Sequence, residues 1–226
     1  MSEVQVRQAA TDQVRAIVAA LEEQIVLGWL MPRERLPEER LTEQFGCKKH
    51  IVREALSELE RMGLVERTLN KGATVRLLSH AEVRQIYSVR EVLETLAAEQ
   101  IPLPAPVALR EELARIQNAH TAAIERNDFS AAFRANLAFH ETLFGACGNP
   151  YLVEVIRNAA KKVHGARFFT AASRPHLERA RDEHWAMIKA LEEADRTSLV
   201  SLCRNHLSPS REAYLAAVQA RRPRYA

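Results

Sequence analysis

From Ser79 to the C-terminus the chain contains no stretch that reads as a β-strand. Its apolar residues recur at helical rather than alternating spacing. Breakers punctuate them at Pro102-Leu103-Pro104-Ala105-Pro106, Asn127-Asp128, Gly148-Asn149-Pro150, Ser173-Arg174-Pro175 and Ala194-Asp195. The spacing predicts helices at about 80–100, 105–126, 129–146, 150–170, 175–194 and 196–220. Six helices joined by short loops form an all-α antiparallel bundle. Only seven glycines in 226 residues, with much Ala, Leu, Glu and Arg, agree with a mainly α fold.

Residues 1–78 follow a different plan. Thr11 or Asp12 is placed to cap a helix whose apolar positions Val14, Ile17, Val18, Leu21, Ile25 and Val26 recur at helical spacing, and Gly28 would end it. Pro37 suits the first turn of a second helix over 38–45, and a third is predicted over 48–62, closed by Gly63. Leu64–Thr68, then Asn70-Lys71-Gly72, then Ala73–Arg76 read as strand, turn and strand. Three helices and a hairpin make a winged helix-turn-helix, so the division expected is 1–78 for DNA binding and 79–226 for a helical domain.

The third helix separates two faces. Val52, Leu56 and Leu59 would bury, while Lys49 and Arg53 lie one turn apart elsewhere, with Lys48 and His50 beside them. Such a helix could place its N-terminal end in a major groove, or it could simply carry a solvated basic end. Residues 1–80 are neutral, 12 Lys+Arg against 12 Asp+Glu, yet residues 47–76 hold seven against four. The cation excess is therefore focused where contact with phosphates is expected.

The run "ALEEQIVLGWLMPRERLPEERLTEQFGCKKHIVREALSELERMGLVERTLNKGATV" resembles the N-terminal domain of GntR-family bacterial transcription regulators. The resemblance implies double-stranded DNA as a partner, contacted by Arg40, Lys48, Lys49, His50, Arg53 and the wing at Gly72. Two departures stand out. Pro32-Arg33-Glu34 replaces the usual Pro-Gly-Glu, and Lys48-Lys49-His50-Ile51 replaces Ser-Arg-Thr-Pro. The second bears on operator sequence, because lysine lacks arginine's bidentate fork for guanine.

Three cysteines, Cys47, Cys147 and Cys203, form no CxxC pair and suit a reducing compartment. With no signal-peptide core and no apolar run approaching the ~20 residues of a membrane span, a cytoplasmic protein is expected.

Asn136 and His140 are four apart on one helix, His184 lies on another, and His206 on a third. Three imidazoles and an amide oxygen could surround a divalent ion and leave positions open. Single histidines are more commonly packed or solvated residues, so spacing alone leaves both readings open. Trp29, Trp185, Met62 and Met187 read as packing residues.

The segments "YSVREVLE", "NLAFHETLFGACGNPYL", "EHWAMIKALEEAD" and "RNHL" are similar to the FCD effector-binding domain of the FadR subfamily, and six helices resemble its VanR-like branch. The resemblance implies a metal held by Asn136, His140, His184 and His206, with zinc first and nickel or manganese as alternatives. Asn136 stands where the family has aspartate, which removes one negative charge from the site. It also implies a small organic acid as effector, met by the metal or by arginines, with Arg90 and Arg134 the candidates.

These readings combine into a homodimeric regulator acting on a palindromic operator, since a two-fold operator mirrors a two-fold protein. Repression relieved by the effector is the commoner sign in such families. An alternative is a metal-free regulator whose bundle serves dimerisation or binds effector through arginines. A metallohydrolase is a remote alternative, because Glu141-Thr142-Leu143-Phe144 after His140 lacks the HExxH pattern.

Overall fold

The structure is a computed structural model that describes residues 3–68 and 72–220. The expected wing tip residues Asn70 and Lys71, and the basic tail from Arg221, lie outside the described residues. The chain divides into two compact units, residues 1–78 with 161–168, and residues 79–160 with 169–226.

In the first unit, helices α1 (Glu3–Val26), α2 (Glu38–Phe45) and α3 (Lys49–Arg61) enclose an apolar core. Val14, Ile17, Leu21, Ile25, Leu41, Val52, Leu56 and Leu59 fill it. Strand β1 (Arg35–Leu36), which the sequence did not announce, joins β2 (Val65–Thr68) and β3 (Gly72–Val75) in a sheet of order β1-β3-β2. Both pairings are antiparallel, with Leu36 opposite Ala73 and Arg67 opposite Ala73 on the other edge.

The ends of these helices follow from local chemistry. Gly46 closes α2 at φ 57° and turns the chain into α3. Gly63, at φ 79°, closes α3: its N–H bonds the Glu60 carbonyl, and the Leu64 N–H reaches back to that of Leu59. That pair of hydrogen bonds satisfies two otherwise orphaned carbonyls and requires a left-handed residue. The cap expected at Thr11 or Asp12 is not formed, because α1 runs unbroken through both residues. Asp12 instead accepts from Gln8 and pairs with Arg15 along the helix surface. Trp29, expected to pack, is 66% exposed.

Residues 161–168 fold with this first unit. Helix α7 (Pro150–Lys162) stops short of the expected 150–170 and passes into a 3-10 helix, His164–Phe169. Val163, His164 and Ala166 are buried there, and His164 Nδ1 lies 2.5 Å from Glu22 Oε1 on α1. Burial of those residues outweighs continuation of the α-helix.

The second unit is helical throughout its described residues: α4 (His80–Gln100), α5 (Val107–Glu125), α6 (Phe129–Gly145), most of α7, α8 (Arg174–Glu192), α9 (Arg196–Asn205) and α10 (Ser208–Ala220). Ser79 and Glu82 form a reciprocal capping box at the start of α4, and Asp128 and Asp195 cap α6 and α9 through the N–H groups of Ala131 and Ser198. Seven α-helices replace the six expected, because the segment 196–220 is two helices broken after His206. Pro209 explains the break: it has no N–H for the Asn205 carbonyl and is tolerated only in the first turn of α10. Helix α5 packs on α6 and α8, and α9 packs on α4 and α8. Leu113, Ile116, Phe139, Leu143, Met187, Leu191 and Leu199 form the core between them.

Candidate metal centre and nucleic-acid interface

Helix α3 sorts its side chains as amphipathicity requires. Ile51, Val52, Ala55, Leu56 and Leu59 are buried, while Lys49, His50 and Arg53 are exposed, with Lys48 exposed at the N-cap position. Two of these cations are already engaged. Lys49 Nζ donates to Glu39 Oε1 at 2.7 Å, and Arg53 Nε donates to Glu38 Oε2 at 2.8 Å. The Lys49–Glu39 hydrogen bond raises the Lys49 pKa and lowers that of Glu39. Sequence reasoning missed this acidic pair at the start of α2, which faces the cations across the turn. Arg40 is exposed on α2, in the wall of a surface hollow that Trp29 and Gln44 also line. Gly72 is exposed at the start of β3.

Inside the second unit three helices bring histidines together. His140 comes from α6, His184 from α8, and His206 from the residue that caps α9. One ligand atom from each lies within 4.8 Å of the others. His140 Nε2 is 3.1 Å from His206 Nε2. Two ring nitrogens at that distance either share a proton or share a cation. With metal–nitrogen bonds of about 2.0–2.1 Å, neighbouring ligands on one ion fall about 3 Å apart.

The rings are oriented by what holds their other nitrogens. His184 Nδ1 is 2.8 Å from Gln117 Oε1, and His206 Nδ1 is 2.6 Å from Glu183 Oε2. Both oxygens are acceptors, so each Nδ1 carries the proton and each Nε2 keeps its lone pair for a ligand role. Burial opposes ionisation of Glu183, but hydrogen bonds from His206 and Arg179 hold its carboxyl below the usual range. Phe139 stacks on His184 with centroids 4.1 Å apart, and Phe144 lies parallel to His140. The donor set, its tautomers and its packing therefore suit a divalent ion. Asn136 lies one turn before His140 on α6 and is half-buried.

The two arginines do not join this cluster as open anchors. Arg90 is buried and its Nε donates to Glu94 Oε1 at 2.8 Å, one turn along α4. Burial opposes its charge, but Glu94 and the Tyr87 phenol raise its pKa. Arg134 is exposed and donates to Ser130.

Three residues around the histidines were not singled out from the sequence as site residues: Gln117, His120 and Glu183. A signal existed for the first two. Leu113, Gln117, His120 and Ile124 form a stripe at helical spacing on α5, and every member is buried. Polar groups on such a stripe demand partners. Burial pushes the His120 pKa down to about 4, with His206 and Arg181 adding to the effect.

The profile of bacterial regulatory proteins of the gntR family matches residues 13–75, and that of the FCD domain matches residues 85–209. An uncharacterized HTH-type transcriptional regulator from the TAR-I ttuE-ttuC' intergenic region of Agrobacterium vitis is 30% identical over 138 residues, covering 60% of this chain and 81% of the relative. The gluconate operon transcriptional repressor of Bacillus subtilis is 27% identical over 183 residues, covering 78% and 74%. The solved structure of E. coli McbR/YncC has the same fold, with a TM-score of 0.77 at 20% identity over 92% of this chain and 98% of that one. No helix among the described residues is long and apolar enough to cross a membrane. A winged domain with a basic, exposed helix face and a helical domain with an internal histidine cluster thus coincide with the two matched segments, and the chain belongs to the GntR family of DNA-binding transcription regulators, in the group that carries an FCD domain.

Proposed function

We propose that this regulator is a homodimeric repressor that releases a palindromic operator when a small carboxylate meets a divalent ion in its helical domain. The observation that carries the reading is the convergence of His140, His184 and His206 with two ring tautomers set by Gln117 and Glu183. Those three residues would hold the ion, with Asn136 supplying a neutral oxygen. Zinc is the first candidate, because imidazole donors suit it, and nickel or manganese are the alternatives. When bound, the ion supplies a Lewis-acidic position for a carboxylate oxygen. The gluconate repressor among the relatives supports both an organic acid and the repressive sign.

At the other end, Lys48, Lys49, His50 and Arg53 would meet phosphates and base edges, with Arg40 and the wing at Gly72 flanking them. A dimer doubles a half-site too short for specificity alone. The acid must bind the DNA-bound and free states unequally, or no release follows. Arg90 is a poor second anchor for the acid, because its guanidinium is already committed to Glu94.

The test combines metal content by plasma mass spectrometry with operator binding. One ion per chain, lost in His184→Ala, and operator release by an acid only in the metal-loaded protein are expected. Metal-free protein that still releases DNA on adding an acid would refute the metal's role.

A further inference from the structure

His120 is the buried titratable group that this reading leaves unused. It is fully buried on α5, its ring centroid 5.4 Å from that of His184, and its Nε2 has no hydrogen-bond partner among the described residues. Its other nitrogen, Nδ1, lies 3.3 Å from Gln117 Nε2. The oxygen of the same amide faces His184 Nδ1 at 2.8 Å. One buried amide therefore joins the two imidazoles.

That chain allows one assignment of protons if His184 serves a cation through Nε2. His184 Nδ1 must then carry the proton, and it donates to Gln117 Oε1. The Gln117 amide nitrogen, pointing the other way, donates to His120 Nδ1 and also reaches Thr121 Oγ1 at 3.4 Å. His120 Nδ1 is thus an acceptor, and in a neutral ring the proton sits on Nε2. The reversed amide would offer a donor to His184 Nδ1, force the His184 proton onto Nε2 and remove its ligand lone pair. A ring that accepts at Nδ1 is uncharged, so the geometry of the amide sets the protonation of His120. Cation binding at His184 consequently presets His120 as a neutral Nε2–H donor.

A buried donor without an acceptor is unfavourable, and native proteins rarely leave one unpaired. His120 stands outside the three-histidine ligand group, yet within the span of one small molecule from it. We infer that His120 Nε2–H donates to an oxygen of the carboxylate effector, so that the acid is read at one end by the cation and at the other by a relay-set imidazole. The class of ligand is an oxyacid with an acceptor oxygen beyond those facing the ion, such as a hydroxycarboxylate. This inference rests on the proposed metal and effector reading.

The test uses full-length, zinc-loaded protein titrated calorimetrically with glycolate, D-gluconate and citrate, in wild type, His120→Phe and His120→Gln. The expected result is at least a tenfold loss of affinity for the tightest of the three acids in His120→Phe. Zinc content should stay at one per chain, and His120→Gln, which restores an amide donor, should recover part of the loss. Affinity within twofold of wild type in His120→Phe would overturn the inference while leaving the metal and effector reading intact. Loss of zinc in His120→Phe would also overturn it, since His120 would then be a positioning residue for the metal. Binding of zinc but of none of the acids by wild type would instead sink the carboxylate reading on which it stands.

Discussion

The two units of this molecule place their polar chemistry in opposite ways. The winged unit buries an apolar interior between α1, α2 and α3 and sets Lys48, Lys49, His50 and Arg53 outside. Its one fully described exception, the buried His164, is matched to Glu22. The helical unit buries Arg90, Glu94, Gln117, His120 and His184 within its described core. A buried polar group costs free energy unless partnered, so a fold keeps such groups only where they are paired or where a ligand is to meet them. DNA is too large to enter an interior and must be met at a surface, whereas a small acid can be enclosed. Under the proposed function, with DNA met outside and a small acid held within, the difference in burial follows from the difference in partner.

The Arg90–Glu94 pair tests the contrast between the units most severely, because its side chains are 5% and 3% exposed. Removing one partner leaves a buried charge alone. Glu94→Ala should destabilise the helical unit by about 3–5 kcal/mol. The double variant Arg90→Met, Glu94→Leu should regain most of that, because a well-packed apolar pair replaces a buried ion pair at little cost. Urea unfolding followed by far-UV dichroism measures both. A single variant as stable as wild type would mean that the pair contributes nothing to the core.

The mirror experiment lies in the winged unit. Leu56 is 1% exposed at the centre of an apolar core, and Leu56→Ala should cost about 2–5 kcal/mol there. Hydrogen exchange should accelerate in α1 and α3, while metal content stays at the wild-type value. Metal lost along with the α3 protection would show the two units to be one cooperative body.

How much of this was legible from residues alone also differs between the units. In the winged unit the helical periods, Gly63 and the hairpin were readable because each is a local signal. The two-residue strand β1 was not, since pairing with β3 is decided by tertiary contact rather than propensity. The cap expected at Thr11 or Asp12 failed for the same reason in reverse: a longer helix supplied Asp12 with partners at helical spacing. In the helical unit the breaks at Asn127 and Ala194 were legible, but Pro209 was passed over within 196–220. The convergence of His140, His184 and His206 across three helices is invisible in any local window, and resemblance placed it. Gln117 and His120 were visible as polar members of an apolar stripe, but the partner of each lies far along the chain.

A smaller effect separates the surface cations from their acids. Arg53→Ala should weaken specific operator binding by about 1–3 kcal/mol and lower its salt dependence, if Arg53 reads a base or phosphate. Glu38→Gln should strengthen binding, because it frees Arg53 and removes an anion beside the approaching phosphates. Fluorescence anisotropy across a salt series checks both. Unchanged specific binding in Arg53→Ala would displace the reading surface from the N-terminal half of α3.

The smallest effect is in thiol chemistry, and it compares the units directly. Cys47 is half-buried in the turn before α3, whereas Cys203 is 2% exposed on α9. Burial, reinforced by the negative charge of Glu94, pushes the Cys203 thiol up to about 12. The thiolate is the nucleophile, so Cys203 is held in its unreactive protonated form at pH 8. Iodoacetamide followed by peptide mass spectrometry should therefore label Cys47 first and Cys203 last, with no loss of fold. The same reagent also reports on Glu94→Ala. Glu94→Ala removes the charge that raises the Cys203 pKa and loosens the core around it, so Cys203 should label faster in that variant while Cys47 keeps its rate. Equal acceleration at both cysteines would point to global unfolding, and acceleration at Cys203 alone would locate the damage in the interior that holds the Arg90–Glu94 pair.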